Sequence, residues 1–168
     1  MIAFDEAVAA DPASAEAWAA RGNAHVEQKG YQDALGDLNK AIELEDSTAE
    51  PYIDRAKVQL ILNHPDEALK DADKFIEMEA ESPSGHFVRG SALYKQGKYQ
   101  EALDSYTKAS EIKEDDPDTF MNIAACHEKL NDAEAAVEAY DQAAELYSEA
   151  GNEAEARKAE AHSQAAAK

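Results

Sequence analysis

Apolar residues recur along this chain at spacings of three and four, and short polar turns interrupt them at regular distances. Written in rows of 34 residues starting at Ala15, Ala49, Pro83 and Pro117, the chain falls into aligned columns. Column 4 holds Trp18, Tyr52, His86 and Phe120, and column 8 holds the small residues Gly22, Ala56, Gly90 and Ala124. Column 10 reads Ala24, Val58, Ala92, Cys126, and column 27 reads Ala41, Phe75, Ala109, Ala143. Column 20 is alanine throughout: Ala34, Ala68, Ala102 and Ala136. Columns 4, 8 and 11 share one helical face and columns 20, 24 and 27 another, so every row predicts two amphipathic helices, A and B. In the first row these cover 15–28 and 31–45, separated by Lys29-Gly30. Later rows turn at Leu62-Asn63-His64-Pro65, Gln96-Gly97-Lys98 and Leu130-Asn131-Asp132, with Pro65 suited to a first helical position.

Small residues at columns 8 and 20 let the two helix backbones approach closely. A large side chain at Gly22 or Ala34 is expected to cost roughly 1–3 kcal/mol by overpacking. Ahead of the first row, Phe4, Ala7, Val8 and Pro12 fill columns 24, 27, 28 and 32 of a preceding row. Residues 1–14 therefore predict a helix B without its helix A, the pattern expected of a piece cut from a longer protein. Beyond the fourth row, Gly151-Asn152 breaks the last helix B, and residues 153–167 predict one more helix. Its column 8 is Lys158, which leaves no room for a further helix B, so it caps the stack. The expected layout is a half repeat at 1–14, full repeats at 15–48, 49–82, 83–116 and 117–150, and a capping helix with tail at 151–168.

These columns resemble the tetratricopeptide repeat, whose pattern is W-x2-L-G-x2-Y, then A-x3-F, then Pro. The first row reads Trp18-x2-Arg21-Gly22-x2-His25, then Ala34-x3-Leu38; the third reads His86-x2-Arg89-Gly90-x2-Leu93, then Ala102-x3-Tyr106. Two departures stand out. The late proline of the pattern appears as Pro12 and afterwards shifts to Pro51, Pro83 and Pro117. Column 7 is Arg21, Arg55 and Arg89, then Ile123, where the pattern has Leu. The resemblance implies an all-α fold: a right-handed superhelical solenoid of antiparallel helix pairs, with four full repeats, an N-terminal half repeat and a C-terminal cap.

Composition agrees with helices: alanine dominates the apolar share, and aromatics, Gly and Pro are sparse. The net charge of −20 repels phosphate backbones and anionic lipid, so nucleic acid and membrane are not expected partners. Two readings of that charge stay open: solubility, and attraction of a basic partner. No apolar run is long enough to span a bilayer, and Asp5 and Glu6 keep the opening residues from reading as a signal peptide. A single cysteine, Cys126, allows no internal disulfide and no multi-thiolate zinc site. It favours a reducing, cytoplasmic setting, with an exported chain that lacks disulfides as the alternative.

The candidate chemistry is thin. His25, His64, His86, His127 and His162 show no metal-ligand spacing, and Cys126 sits in a small-residue core column. Gly30, Gly36, Gly85 and Gly97 are isolated, so no phosphate-binding loop is formed, and Glu114-Asp115-Asp116 lacks the spacing of a calcium loop. The three column-7 arginines read as packed stems with guanidinium groups paired to neighbouring carboxylates. No catalytic residue, metal or cofactor is expected, and the chain reads as a non-enzyme.

In tetratricopeptide proteins helix A lines a concave groove, which the resemblance places at columns 2, 5, 9, 12 and 13. The expected partner-binding residues are Asn23, Ile53, Lys57, Leu60, Ile61, Phe87, Ser91, Tyr94 and Met121. Their apolar members read as a contact strip, with helix-edge packing as the other reading. One subfamily holds the acidic tails of heat-shock chaperones in a two-carboxylate clamp. The clamp columns here carry Ala19, Asn23, Asp54, Ser84 and Val88, of which only Asn23 matches. The expected function is a scaffold that receives a protein or peptide with apolar anchors and basic flanks. The alternative is a regulatory or self-associating module that packs through its open N-terminal end.

Overall fold

The computed structural model describes all 168 residues, and its regular elements are ten helices with no strand. They form two compact units, Met1–Ala80 and Glu81–Lys168. The first unit holds α1 (Ile2–Ala10), α2 (Ala15–Glu27), α3 (Tyr31–Leu44), α4 (Glu50–Ile61) and α5 (Pro65–Met78). The second holds α6 (Pro83–Lys95), α7 (Tyr99–Ile112), α8 (Pro117–Lys129), α9 (Ala133–Glu149) and α10 (Glu153–Ala166). The fold is thus all-α, built from the paired helices that the column pattern predicts.

Local chemistry sets the helix ends. Pro51, Pro65, Pro83 and Pro117 stand at the first positions of α4, α5, α6 and α8, where proline's missing N–H costs nothing. This accounts for prolines that depart from the repeat pattern. The Ser14 hydroxyl accepts the Ala17 N–H, and the Asp116 carboxylate accepts the Thr119 N–H, both at 3.1 Å. Between the helices of every pair the chain turns through a left-handed residue at column 15: Lys29 (φ 60°), Asn63 (62°), Gly97 (78°) and Asn131 (61°). Each turn is closed by the same long backbone bond, Gly30 N–H to His25 O (2.8 Å), His64 to Gln59 (2.8 Å), Lys98 to Leu93 (3.0 Å) and Asp132 to His127 (2.9 Å). Lys29 is the one position of the four where neither glycine nor asparagine relieves the strain.

Packing follows the small columns. Ala34, Ala56, Ala68, Ala92, Ala102, Ala124 and Ala136 are fully buried. A Cβ on Gly90 would lie 2.9 Å from two ring carbons of Tyr106, and one on Gly22 would lie 3.1 Å from Leu38 Cγ. Row two carries Ala56 at that column, and the facing column-24 residue is only Ala72. In rows one to three, bulk at column 24 of helix B thus goes with glycine at column 8 of helix A, whereas row four combines Ala124 with Tyr140. Tyr106 is held further by an edge contact to Phe87, with ring centroids 5.5 Å apart, and by donating its hydroxyl to Ser91 Oγ at 3.0 Å.

The column-7 arginines tie helices together. Arg21 forms a two-pronged bond to Asp37 at 2.7 Å per arm, and Arg55 does the same to Asp71 at 2.7 and 2.6 Å. Each also reaches back to the preceding helix B, Arg21 to Asp5 (3.3 Å) and Arg55 to Asn39 (2.8 Å). The guanidinium planes lie over the column-4 rings, 4.8 Å from Trp18 and 5.7 Å from Tyr52. One side chain thus joins its own pair of helices to the pair before. Arg89 finds Ser105 instead, at 2.6 Å, and row four replaces the pair with buried Ile123 and Ala139. At the C-terminal end, α10 buries Ala156 and Ala159 on the α9 residues Ala143, Ala144 and Tyr147, and its other face is charged.

Candidate functional site

Helix-A surfaces carry the residues expected to meet a partner, and packing treats them unequally. On α4, Lys57 and Ile61 are exposed, Ile61 by 53%, and Leu60 is half-buried. Their i, i+3, i+4 spacing sets the three side by side. Ile53 corrects the expectation. It is 5% exposed, because α4 packs on α3 and α5 and also meets α2, so column 5 of this row belongs to the core. Asn23 is exposed, and its amide donates to Asp54 at 2.9 Å; Lys57 lies 3.6 Å from the same carboxylate.

In the second unit Phe87, Ser91, Tyr94 and Met121 are all half-buried. Ser91 is occupied within the fold, accepting from Tyr106 and donating to Phe87 O at 3.0 Å. Tyr94 stands edge-on to Tyr99 with centroids 5.2 Å apart, and burial raises its pKa above the ordinary tyrosine value. Met121 and its neighbour Phe120 pack on the Ala143–Tyr147–Ala159 cluster. Met121 is therefore partly engaged in the packing of α8 on this cluster and is not an open groove position.

Two clefts open on these surfaces, and each recurs at the same columns of its unit. The first, about 300 Å³, lies where the start of α2, the α3–α4 turn and the start of α4 meet. Ala15, Ala19 and Pro51 give it apolar walls, and Glu16, Glu45 and Glu50 rim it beside Thr48. The second, about 280 Å³, is lined by Pro83, Ser84 and Phe87 of α6, Lys113 and Asp116 of the α7–α8 turn, and Asp118 and Thr119 of α8. Both use columns 1, 2, 5, 31 and 34 of one row and columns 2 and 3 of the next. The turn residues Glu45, Thr48, Lys113 and Asp116 were absent from the expected site, although aligned columns 31 and 34 would have pointed to them.

Reactive groups are tied into the packing. Cys126 is fully buried, and desolvation pushes its thiol up to about 12. Burial also raises Tyr106 and Tyr140 far above the ordinary tyrosine range, and Tyr147, hydrogen-bonded to Asp118, rises with them. His25 Nε2 lies 3.7 Å from the Asp37 carboxylate, and His127 Nδ1 lies 3.5 Å from Asp132. No three His, Cys, Asp or Glu side chains are grouped to hold a metal ion, and no helix is long and apolar enough to cross a membrane.

Known proteins place this geometry in context. Tetratricopeptide repeat models match residues 3–50 and 117–150, and a TPR repeat model matches residues 90–131. No curated protein matches the chain in sequence. Among solved structures, the 41-to-end portion of MamA from Desulfovibrio magneticus RS-1 is similar at a TM-score of 0.83 and 15% identity, over 87% of this chain and 82% of that one. YrrB, described as a TPR protein with an unusual peptide-binding site, is similar at 0.70 and 21% identity, over 98% and 92%. The TPR domain of Arabidopsis OM64 follows at 0.66 and 22% identity, over 68% and 94%. At such identities the likeness is one of fold.

Proposed function

The chain belongs to the tetratricopeptide repeat family, and on that premise we propose that it is a protein-interaction scaffold whose helix-A faces receive a peptide or helix of a partner. The observation that carries this reading is Ile61, a large aliphatic residue left 53% exposed beside Leu60 and Lys57. The fold gains little from the part of an isoleucine that stays in water, whereas a partner covering that exposed half gains roughly 1–1.5 kcal/mol before association costs. Tyr94 and Phe87 are more covered than Ile61 but leave some apolar surface open in the second unit. The helix-A segments also carry the exposed carboxylates Glu16, Glu27, Glu50 and Asp118, which favour basic flanks on the ligand.

The test begins with a pull-down using the whole chain, followed by binding measurements on the retained partner. Ile61→Asp and Tyr94→Ala should each weaken binding severely, while raised salt weakens it only moderately. Binding that vanishes in moderate salt and ignores both substitutions would refute the apolar-anchor reading. A second reading, self-association through α1, is favoured by Ile2 and Phe4, exposed by 77% and 37%. Light scattering over a concentration series tests it: a dimer dispersed by Ile2→Asp supports that reading, and a concentration-independent monomer removes it.

A further inference from the structure

We propose that the first-unit cleft between α2 and α4 binds one lysine or arginine side chain of an extended partner peptide, an assignment that rests on the scaffold reading above. The second-unit cleft is built by the same columns. There, column 31 is Lys113, and its ammonium lies 3.6 Å from Asp116 on the same rim. The chain supplies that cleft with its own cation, and Phe87 occupies the column-5 wall. In the first unit column 31 is Glu45 and column 5 is Ala19, so the cleft gains a carboxylate where its counterpart has an amine and keeps only a methyl on its wall.

The consequence is an apolar slot of about 300 Å³ with three rim carboxylates, Glu16, Glu45 and Glu50, and no cation of the chain's own on its lining. Glu16 and Glu50 lie in first helical turns, where the peptide dipole favours them. Glu45 caps the C-terminal end of α3, where the dipole opposes a carboxylate, as Glu79 does on α5. Its one side-chain partner is the Ser47 hydroxyl, at 3.2 Å. A basic side chain complements this slot in both of its parts. The aliphatic stem lies along Ala15, Ala19 and Pro51, and the charged head meets the rim, as long cationic side chains do at apolar–polar boundaries. Charge complementarity selects a cationic residue over an aliphatic one of equal length.

The experiment titrates the isotope-labelled full chain with the capped peptide acetyl-Gly-Leu-Lys-Leu-Gly-amide and with a twin carrying norleucine for lysine, following backbone amides by NMR. In about 0.1 M salt, the lysine peptide should shift amides within 14–19 and 45–51, and the norleucine twin should bind about tenfold more weakly or worse. Glu45→Lys, which copies column 31 of the second cleft, should abolish the difference between the two peptides. Glu45→Gln, a gentler change at an exposed position, should reduce it. Equal affinity for both peptides, shifts scattered over every acidic surface, or an unchanged response in well-folded Glu45→Lys overturns the assignment. The two readings fail differently. Peptides that shift only amides around Leu60 and Ile61, with no preference for lysine, remove the cleft and leave the scaffold standing. A captured partner indifferent to Ile61→Asp and Tyr94→Ala removes the scaffold reading itself.

Discussion

Replacing Arg55 alone should destabilise the protein more than replacing Arg55 and its partner together. The Asp71 side chain is only 8% exposed and accepts both arms of the Arg55 guanidinium, at 2.7 and 2.6 Å. Arg55→Ile removes the cation and leaves a carboxylate with little water to replace it. Breaking a fully buried pair in this way costs about 3–5 kcal/mol. The arginine is 18% exposed, so some water returns, and a loss of about 2–3 kcal/mol is expected here. The bond to Asn39 is exposed and adds little. Asp71→Ala alone frees Arg55 to turn outward and should cost about 1 kcal/mol. The double change installs the residues that row four carries naturally at these columns, Ile123 and Ala139, buried at 8% and 6%. It removes the desolvated charge along with its partner and should stay within about 1 kcal/mol of the parent. The coupling in a double-mutant cycle, read from urea unfolding by circular dichroism, is therefore about 2–4 kcal/mol. A double variant as unstable as the sum of the single changes would show that the pair is a solvated contact and that the argument from burial is wrong.

Three further outcomes are expected. Lys29→Gly should stabilise the protein by about 0.5–1 kcal/mol, because φ 60° strains any residue with a Cβ; an unchanged or lowered urea midpoint would count against it. Gly90→Ala should cost roughly 1–3 kcal/mol, since the added methyl lies 2.9 Å from the Tyr106 ring, and a neutral melting curve would mean that the ring moves freely. Alkaline conditions should loosen the fold. Burial favours the protonated Cys126 thiol, so its stabilising contribution is complete below pH 9.0 and is lost as pH rises towards about 12. Tyr106, Tyr140 and Tyr147 act in the same direction. Cys126→Ala should therefore flatten part of the fall in melting temperature above that pH, and a profile identical to the parent would contradict the assignment.

What the sequence by itself determined is whatever depends on neighbours within one row. The helix pairs, the places where the chain turns between them, and the small buried alanines of column 20 all follow from local periodicity; the left-handed backbone at Lys29 did not. The pairing of the column-7 arginines was also legible, because a guanidinium at a helix-packing position needs a nearby carboxylate. The tertiary structure decided how much of each helix-A face remains open. Ile53 and Ile61 lie two turns apart on the same helix and read alike in sequence, yet one is 5% and the other 53% exposed. Periodicity reports which face of a helix is apolar, but exposure depends on the helices stacked on either side, which no single row contains. The acidic cleft has the same origin. Its walls come from α2, the α3–α4 turn and α4, so Glu16, Glu45 and Glu50 meet only when one repeat closes on the next.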